Sequence, residues 1–373
     1  MKIQRLAILL LVLVLIVGAE VVLMNRGSGE SASVPQATET PEPTVEPTET
    51  PVPTPEIDLE KTKPNEAGEV PIIMFHAFID ELDPEESYSN DYLRYTQSLS
   101  SLRDLLERLY DMGYRMASMT DFLNNEIKVE AGYKPIVFTF DDGTPGQFSL
   151  IEENGELVIN PDCAAAVMLD FYKEHPDFGL EGTFYVNLGG SPFYEDRSSG
   201  PALAGTAQER LQYLIDLGFE VGNHTYSHYN MSNAQDGDSL IREVGKNQAV
   251  MNELIEGYTF TSLALPFGSV PSGLYDYIKS GIYEGTAYMN LGVLEVGWDP
   301  SVSPVNPDYD PYSIHRIRGT GFLAEDCDFE YWLEHERQPV YVSDGDPNIV
   351  TVPEEYTYLV DEGKLGGKQL RVY

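Results

Sequence analysis

Between Val70 and Trp298 short apolar runs alternate with amphipathic stretches, and this rhythm limits what the chain can fold into more than any other feature. Val70–His76 (VPIIMFH) reads as a buried strand. Ser98–Tyr114 reads as a helix with Leu102, Leu105, Leu106 and Leu109 at helical spacing. Further strands are expected at PIVFTF, GTFYVN, EVGN, TSLALPF, GTAYMN and GVLEVGW. Helices are expected at CAAAVMLDFYKEH, AQERLQYLIDLGF, SLIREVGKNQAVMNELI and SGLYDYIKSG. The alternation predicts a parallel α/β sheet or barrel rather than a sandwich, with any site at the C-terminal ends of the strands. GQFSLIEENGELVINPD interrupts the rhythm and reads as a hairpin about Glu-Asn-Gly. PVYVSDGDPNIVTVP reads as two extended stretches around a polar turn.

The N-terminus is of a different kind. Lys2 and Arg5 precede an apolar run from Leu6 to Met24 that is broken only by Gly18 and Glu20. This is a signal peptide ending near Val17-Gly18-Ala19 or an uncleaved signal anchor. Val21 to Met24 favour the anchor, because about 20 residues span a bilayer. Ser31–Glu60 holds seven acids, seven prolines and no base, the composition of an extended spacer. The expected organisation is a membrane segment (1–30), a disordered linker (31–64) and one α/β domain (65–373). The chain would be exported, either cell-surface or extracellular.

The full chain has net charge −38; residues 1–64, with five bases and nine acids, account for −4 of it, leaving −34 on the domain. Repulsion from phosphate then excludes nucleic acid as a partner. Cys163 and Cys327 are the two cysteines, enough for one disulfide but not for a framework. Oligomeric state is not legible.

Four motifs fall at expected strand ends: TFDDG (Thr139–Gly143), GNHTYSH (Gly222–His228), LPFG (Leu265–Gly268) and VGWDP (Val296–Pro300). Alone, adjacent acids after a strand are as easily a helix cap or an Asx turn. A pair of histidines four apart is also weak evidence by itself. Together, His224, His228 and one carboxylate would make a two-His-one-acid site with open positions, the pattern of catalytic Zn²⁺ and some Fe²⁺ sites. The second carboxylate could then take a proton from metal-bound water, with Gly143 permitting an unusual turn.

TFDDG, HTYSH and PFG in this order resemble the polysaccharide deacetylases of carbohydrate esterase family 4, the NodB-homology group. VPIIMFH resembles the branch of exported poly-N-acetylglucosamine deacetylases. The resemblance implies a deformed (β/α) barrel and removal of N-acetyl groups from a cell-envelope polysaccharide. It makes Asp141 the general base and Asp142, His224 and His228 the ligands of a divalent ion, by default Zn²⁺. Pro266, Phe267 and Gly268 would form a groove wall, with Trp298 as a further substrate contact and the Phe267 N–H as an oxyanion donor.

Two departures stand out. The family's arginine two residues before the third-motif proline is Ala264 here, leaving Asp141 to another cation or with altered basicity. The leaving-group acid, normally the histidine of Leu-x-His, has two weak candidates. Leu333-Glu334-His335 lies on a polar helix, and His315 lies on a better strand but lacks the motif. His76 is expected in the core or at the groove, and His175 at a helix end. Two alternative functions follow: an O-acetyl esterase using the same site, and a non-catalytic glycan-binding module.

Overall fold

Lys134–Phe140 (β5) is the axis of the molecule: from Pro135 to Phe140 every residue is buried, as a parallel strand covered on both faces must be. The computed structural model describes residues 57–373 apart from 195–201, 298, 327 and 336–338. The expected membrane segment, most of the linker, Trp298 and Cys327 therefore lie outside the described residues. Among the described residues no helix is long and apolar enough to cross a membrane.

In chain order the elements are α1 (Leu59–Thr62), β1 (Ile72–Phe75), β2 (Ala77–Ile79), α2 (Asn90–Tyr95), β3 (Thr96–Ser98), α3 (Leu99–Asp111), β4 (Tyr114–Met116), α4 (Met119–Leu123) and β5. Then come β6 (Leu150–Glu153), β7 (Glu156–Ile159), α5 (Ala164–Glu174), β8 (Thr183–Val186), α6 (Ala207–Asp216), β9 (Glu220–Asn223), α7 (Gly237–Leu254), β10 (Ser262–Ala264) and α8 (Asp276–Lys279). The last are β11 (Ser280–Tyr283), β12 (Thr286–Met289), β13 (Gly292–Leu294), β14 (Ile317–Arg318), α9 (Phe329–Glu334), β15 (Ile349–Val352) and β16 (Gln369–Val372).

The main sheet runs β13-β10-β9-β8-β5-β1-β14, with β4 beside the start of β5, and all its pairs are parallel. The stretch before β14 joins the two ends of this sheet. Ile314 N–H donates to Val293 and Glu295 N–H donates back to Ile314, while Ile317 pairs with Ile73 of β1. The result is a curled, irregular parallel barrel wrapped by helices, as the alternation of the sequence predicts.

Helix α3 begins at Ser98, whose hydroxyl caps Ser101 N–H, and buries Leu99, Leu102, Leu106 and Leu109; Leu105 packs at the edge of the same core. The expected hairpin after the acid pair is β6–β7, antiparallel, with Asn154 (φ 54°) and Gly155 (φ 85°) at its tip. One expectation fails: GTAYMN is not a strand of the parallel sheet. Its β12 folds back antiparallel on β11, with Tyr283 and Tyr288 against Gly245 of α7. The Glu284-Gly285 turn, both residues at positive φ, makes that short hairpin possible. Cys163 is a buried free thiol at the start of α5.

Candidate metal and catalytic site

The C-terminal ends of β5, β9 and β10 meet at one cavity of about 310 Å³. Asp141 and Asp142 follow β5 directly, and their backbones part there. Asp141 stays extended and buried, whereas Asp142 turns at φ 79° and Gly143 at φ 63°. A left-handed aspartate costs of order 1 kcal/mol or more, and it is what sends adjacent carboxylates in different directions.

Asp142 faces the histidines. Its Oδ1 lies 3.3 Å from His224 Nε2 and 3.2 Å from His228 Nε2. His224 Nδ1 is 2.9 Å from the Ala264 carbonyl, a partner that requires the proton on Nδ1 and leaves the Nε2 lone pair turned to Asp142. Three potential ligand atoms thus converge within the span of a single ion, with the donor set that Zn²⁺ prefers. Burial pushes the Asp142 carboxyl up, but His224, His76 and His228 outweigh it and hold it well below the usual range.

A polar scaffold holds the histidine loop. Thr225 (φ 65°) and His228 (φ 53°) are both left-handed, and for β-branched Thr225 that is a rare conformation. Asn187 donates to the carbonyls of His224 and Thr225, and Asn223 Oδ1 accepts from Thr225 N–H at 2.9 Å. Asn247, buried on α7, donates to Asn223 and to Val186 and accepts from Leu188 N–H, each at 2.9 Å. Glu243 receives both the N–H and the hydroxyl of Ser227. On the other flank Arg210, buried and with no carboxylate partner among the described residues, donates to Pro192 O (2.8 Å) and Ser191 Oγ (2.6 Å). Phe193 N–H in that loop donates to Gly143 O at 2.7 Å.

Asp141 is not left without its cation. Arg316, just before β14, grips it bidentately, at 2.7 Å (Nη1–Oδ1) and 2.8 Å (Nη2–Oδ2), and both side chains are buried. The same guanidinium donates to Thr139 Oγ1 and to Glu295 O, and lies over the Tyr185 ring. Burial raises the Asp141 carboxyl, yet Arg316 and His224 more than offset it, so Asp141 stays ionised. The arginine missing at Ala264 on β10 is replaced from the far end of the sheet. Sequence reasoning did not find it; the only signal was a pair of arginines, Arg316 and Arg318, in the extended stretch YSIHRIRG.

Along that strand the side chains alternate: Ile314 is buried, His315 exposed, Arg316 buried. His315 is therefore a poor candidate for the acid, being exposed and not among the residues that line the cavity. His335 is exposed, its ring stacked on Tyr331. His175 ends α5 against Tyr110 and Phe171. His76, by contrast, lines the cavity with Asp141 and Asp142, and its Nδ1 is buried with no hydrogen-bond partner. Burial lowers its pKa, and the Asp141 and Asp142 carboxylates only partly restore it.

The groove wall is formed by Phe267, with Leu265 and Val296, rather than by the whole PFG motif. Pro266 is buried, and Gly268 (φ 75°) passes so close to Val296 that a Cβ there would sit 2.8 Å from it. Phe267 itself is left-handed (φ 60°) and 62% exposed, with its ring 5.0 Å from that of His228.

Solved structures of similar fold include a polysaccharide deacetylase from Bacillus cereus (18% identity, covering 72% of this chain and 69% of that one, TM-score 0.49). The Streptococcus pyogenes deacetylase PplD, solved with acetate, is 17% identical over 71% of this chain and 97% of its own, with TM-score 0.49. IcaB from Ammonifex degensii is 18% identical over 68% of this chain and 92% of its own, with TM-score 0.44. No curated protein matches the chain. Residues 128–284 match the family model described as polysaccharide deacetylase. That span, under half of the chain, holds Asp141, Asp142, His224, His228 and Phe267, and over it the chain is similar to the polysaccharide deacetylases.

Proposed function

We propose that the chain is an exported, metal-dependent hydrolase that removes N-acetyl groups from an N-acetylglucosamine-containing polymer of the cell envelope. One observation carries this reading. Asp142, His224 and His228 converge on one point, while the adjacent Asp141 is held apart from them, ionised, by Arg316.

A bound divalent ion, with Zn²⁺ the best match to these donors, would make water acidic near neutral pH and polarise the acetyl carbonyl. Asp141 then takes the proton as the water oxygen bonds to the acetyl carbon. The bidentate arginine fixes the direction of the carboxylate, so its geometry does not have to be found anew at each turnover. Phe267, at the cavity wall, offers its N–H to the developing oxyanion. The proton that Asp141 took from the water reaches the nitrogen through His76 as the C–N bond breaks, which releases acetate and leaves the sugar with a free amine. The O-acetyl reading drew support from the gap at Ala264 and from the uncertain leaving-group acid; Arg316 fills the first, and the second rests on His76.

The test is acetate release from chitin oligomers, acetylated xylan and peptidoglycan, with and without chelator. Chelator-sensitive release from chitin oligomers is expected. Release from xylan alone would favour the esterase, and none from any substrate with metal bound would refute both enzyme readings. Asp141→Asn is expected to stop turnover and keep the metal; loss of the metal as well would overturn the division of labour between the two acids.

A further inference from the structure

The cavity has a second wall, built outside the sequence motifs. It comes from the excursion β2–α2–β3, which leaves the barrel after β1 and returns at α3, and it presents Tyr92, Tyr95 and Thr96 to the same space as Phe267. Tyr95 is fastened on two sides, its ring 4.6 Å from that of His76 and beneath the Arg318 guanidinium at 5.2 Å. Tyr92 is 38% exposed, and its ring lies parallel to that of Tyr88, 5.0 Å away and 16° from coplanar. Stacking of this kind fixes the plane of an exposed ring without burying it. Phe267 faces it from a strained backbone that keeps an aromatic ring in solvent, the sort of cost that persists where a ligand repays it.

Resting on the proposed function, we infer that Tyr92, held in plane by Tyr88 behind it, is a subsite for the sugar unit next to the one losing its acetyl group. A pyranose ring has an apolar C–H face that packs on an aromatic plane, and a polymer whose acetamido group is drawn down to Asp142 must cross the rim of the cavity. Tyr92 on one side and Phe267 on the other lie where the units before and after would rest. The ligand class is a neutral pyranose of a linear polymer, and the enzyme works within the chain rather than on a free monosaccharide.

The experiment compares kcat/KM for N-acetylglucosamine oligomers of one to five units in the full-length chain, Tyr92→Ala, Tyr92→Phe, and Tyr358→Ala as an exposed tyrosine remote from the cavity. The pentamer-to-monomer ratio is expected to fall about tenfold in Tyr92→Ala, the scale of one aromatic contact, to be kept in Tyr92→Phe, and to be unchanged in Tyr358→Ala. A loss equal at every length, or no loss, would overturn the subsite. Pentamer binding to Asp141→Asn, measured by calorimetry with and without Tyr92→Ala, separates the two readings. If no oligomer is deacetylated but binding still depends on Tyr92, the subsite stands and the reaction proposed for the site falls. If binding ignores Tyr92, the subsite falls whatever the reaction.

Discussion

Arg316→Met removes a guanidinium that is fully buried and leaves the Asp141 carboxylate, 2% exposed, without its counter-charge. Breaking a buried pair from one side costs about 3–5 kcal/mol, because the remaining charge has lost both its partner and its water. Asp141→Leu strands the arginine in the same way and is expected to cost a similar amount. The double variant leaves neither charge behind and should cost less than the sum of the two by about 2 kcal/mol or more. Denaturant unfolding at pH 7 in chelator measures all four corners of this cycle, with m required to stay constant. Additivity within about 0.5 kcal/mol would show that the pair is not coupled and refute the reasoning. Arg316→Lys keeps the charge and loses the fork, so it should recover stability better than it recovers turnover. In Arg316→Met turnover itself should fall by about 10²-fold or more, the usual share of a positioned base.

Three further outcomes follow from the geometry. Asn247→Ala, which takes away the residue joining β8, β9 and the histidine loop, should weaken Zn²⁺ binding by roughly 10–100-fold in calorimetric titration while the ligands stay in place. His76→Ala should depress acetate release from amide substrates far more than from an activated phenyl ester, whose leaving group needs no proton; equal losses would remove His76 from the role of acid. Glu66, buried against Asp344 and Tyr341 and accepting Thr351 N–H at 2.8 Å, has its pKa pushed up to about 8 by burial, with Asp344 adding to it. A carboxyl raised above its unfolded value gives stability that is complete below about pH 4.5 and lost as pH rises toward 8. The domain should therefore lose up to about 5 kcal/mol across that window, and Glu66→Gln should flatten the slope.

The strands, the helices and the three candidate metal ligands could be read from the sequence because each rests on local pattern. Apolar runs of four to seven residues announced β1, β5 and β8, and TFDDG and HTYSH carry their ligands within one turn of a strand end. The partner of Asp141 rests on strand order. Nothing in the sequence says that the chain around Arg316 lies beside β1, 175 residues from the acid it holds. His315 drew attention as a histidine on a strand, yet the alternation of that strand turned it out and its neighbour in. His76 could be read only as a core or a groove residue, because the choice depends on the β2–α2–β3 wall, which shares its cavity. The β11–β12 hairpin was misread for a related reason: a two-residue turn at Glu284-Gly285 outweighs the βα rhythm around it.

On the proposed function, the position of Arg316 also sets when the site is complete. β1 and β5 leave the ribosome early and can pair at once, but a barrel made only of these and the next four strands would enclose a bare carboxylate. Water must stay at Asp141 until the stretch from Pro311 to Arg318 slides between β13 and β1, closes the ring and delivers the guanidinium in the same movement. Closure of the barrel and pairing of Asp141 are one event, because the same stretch supplies both.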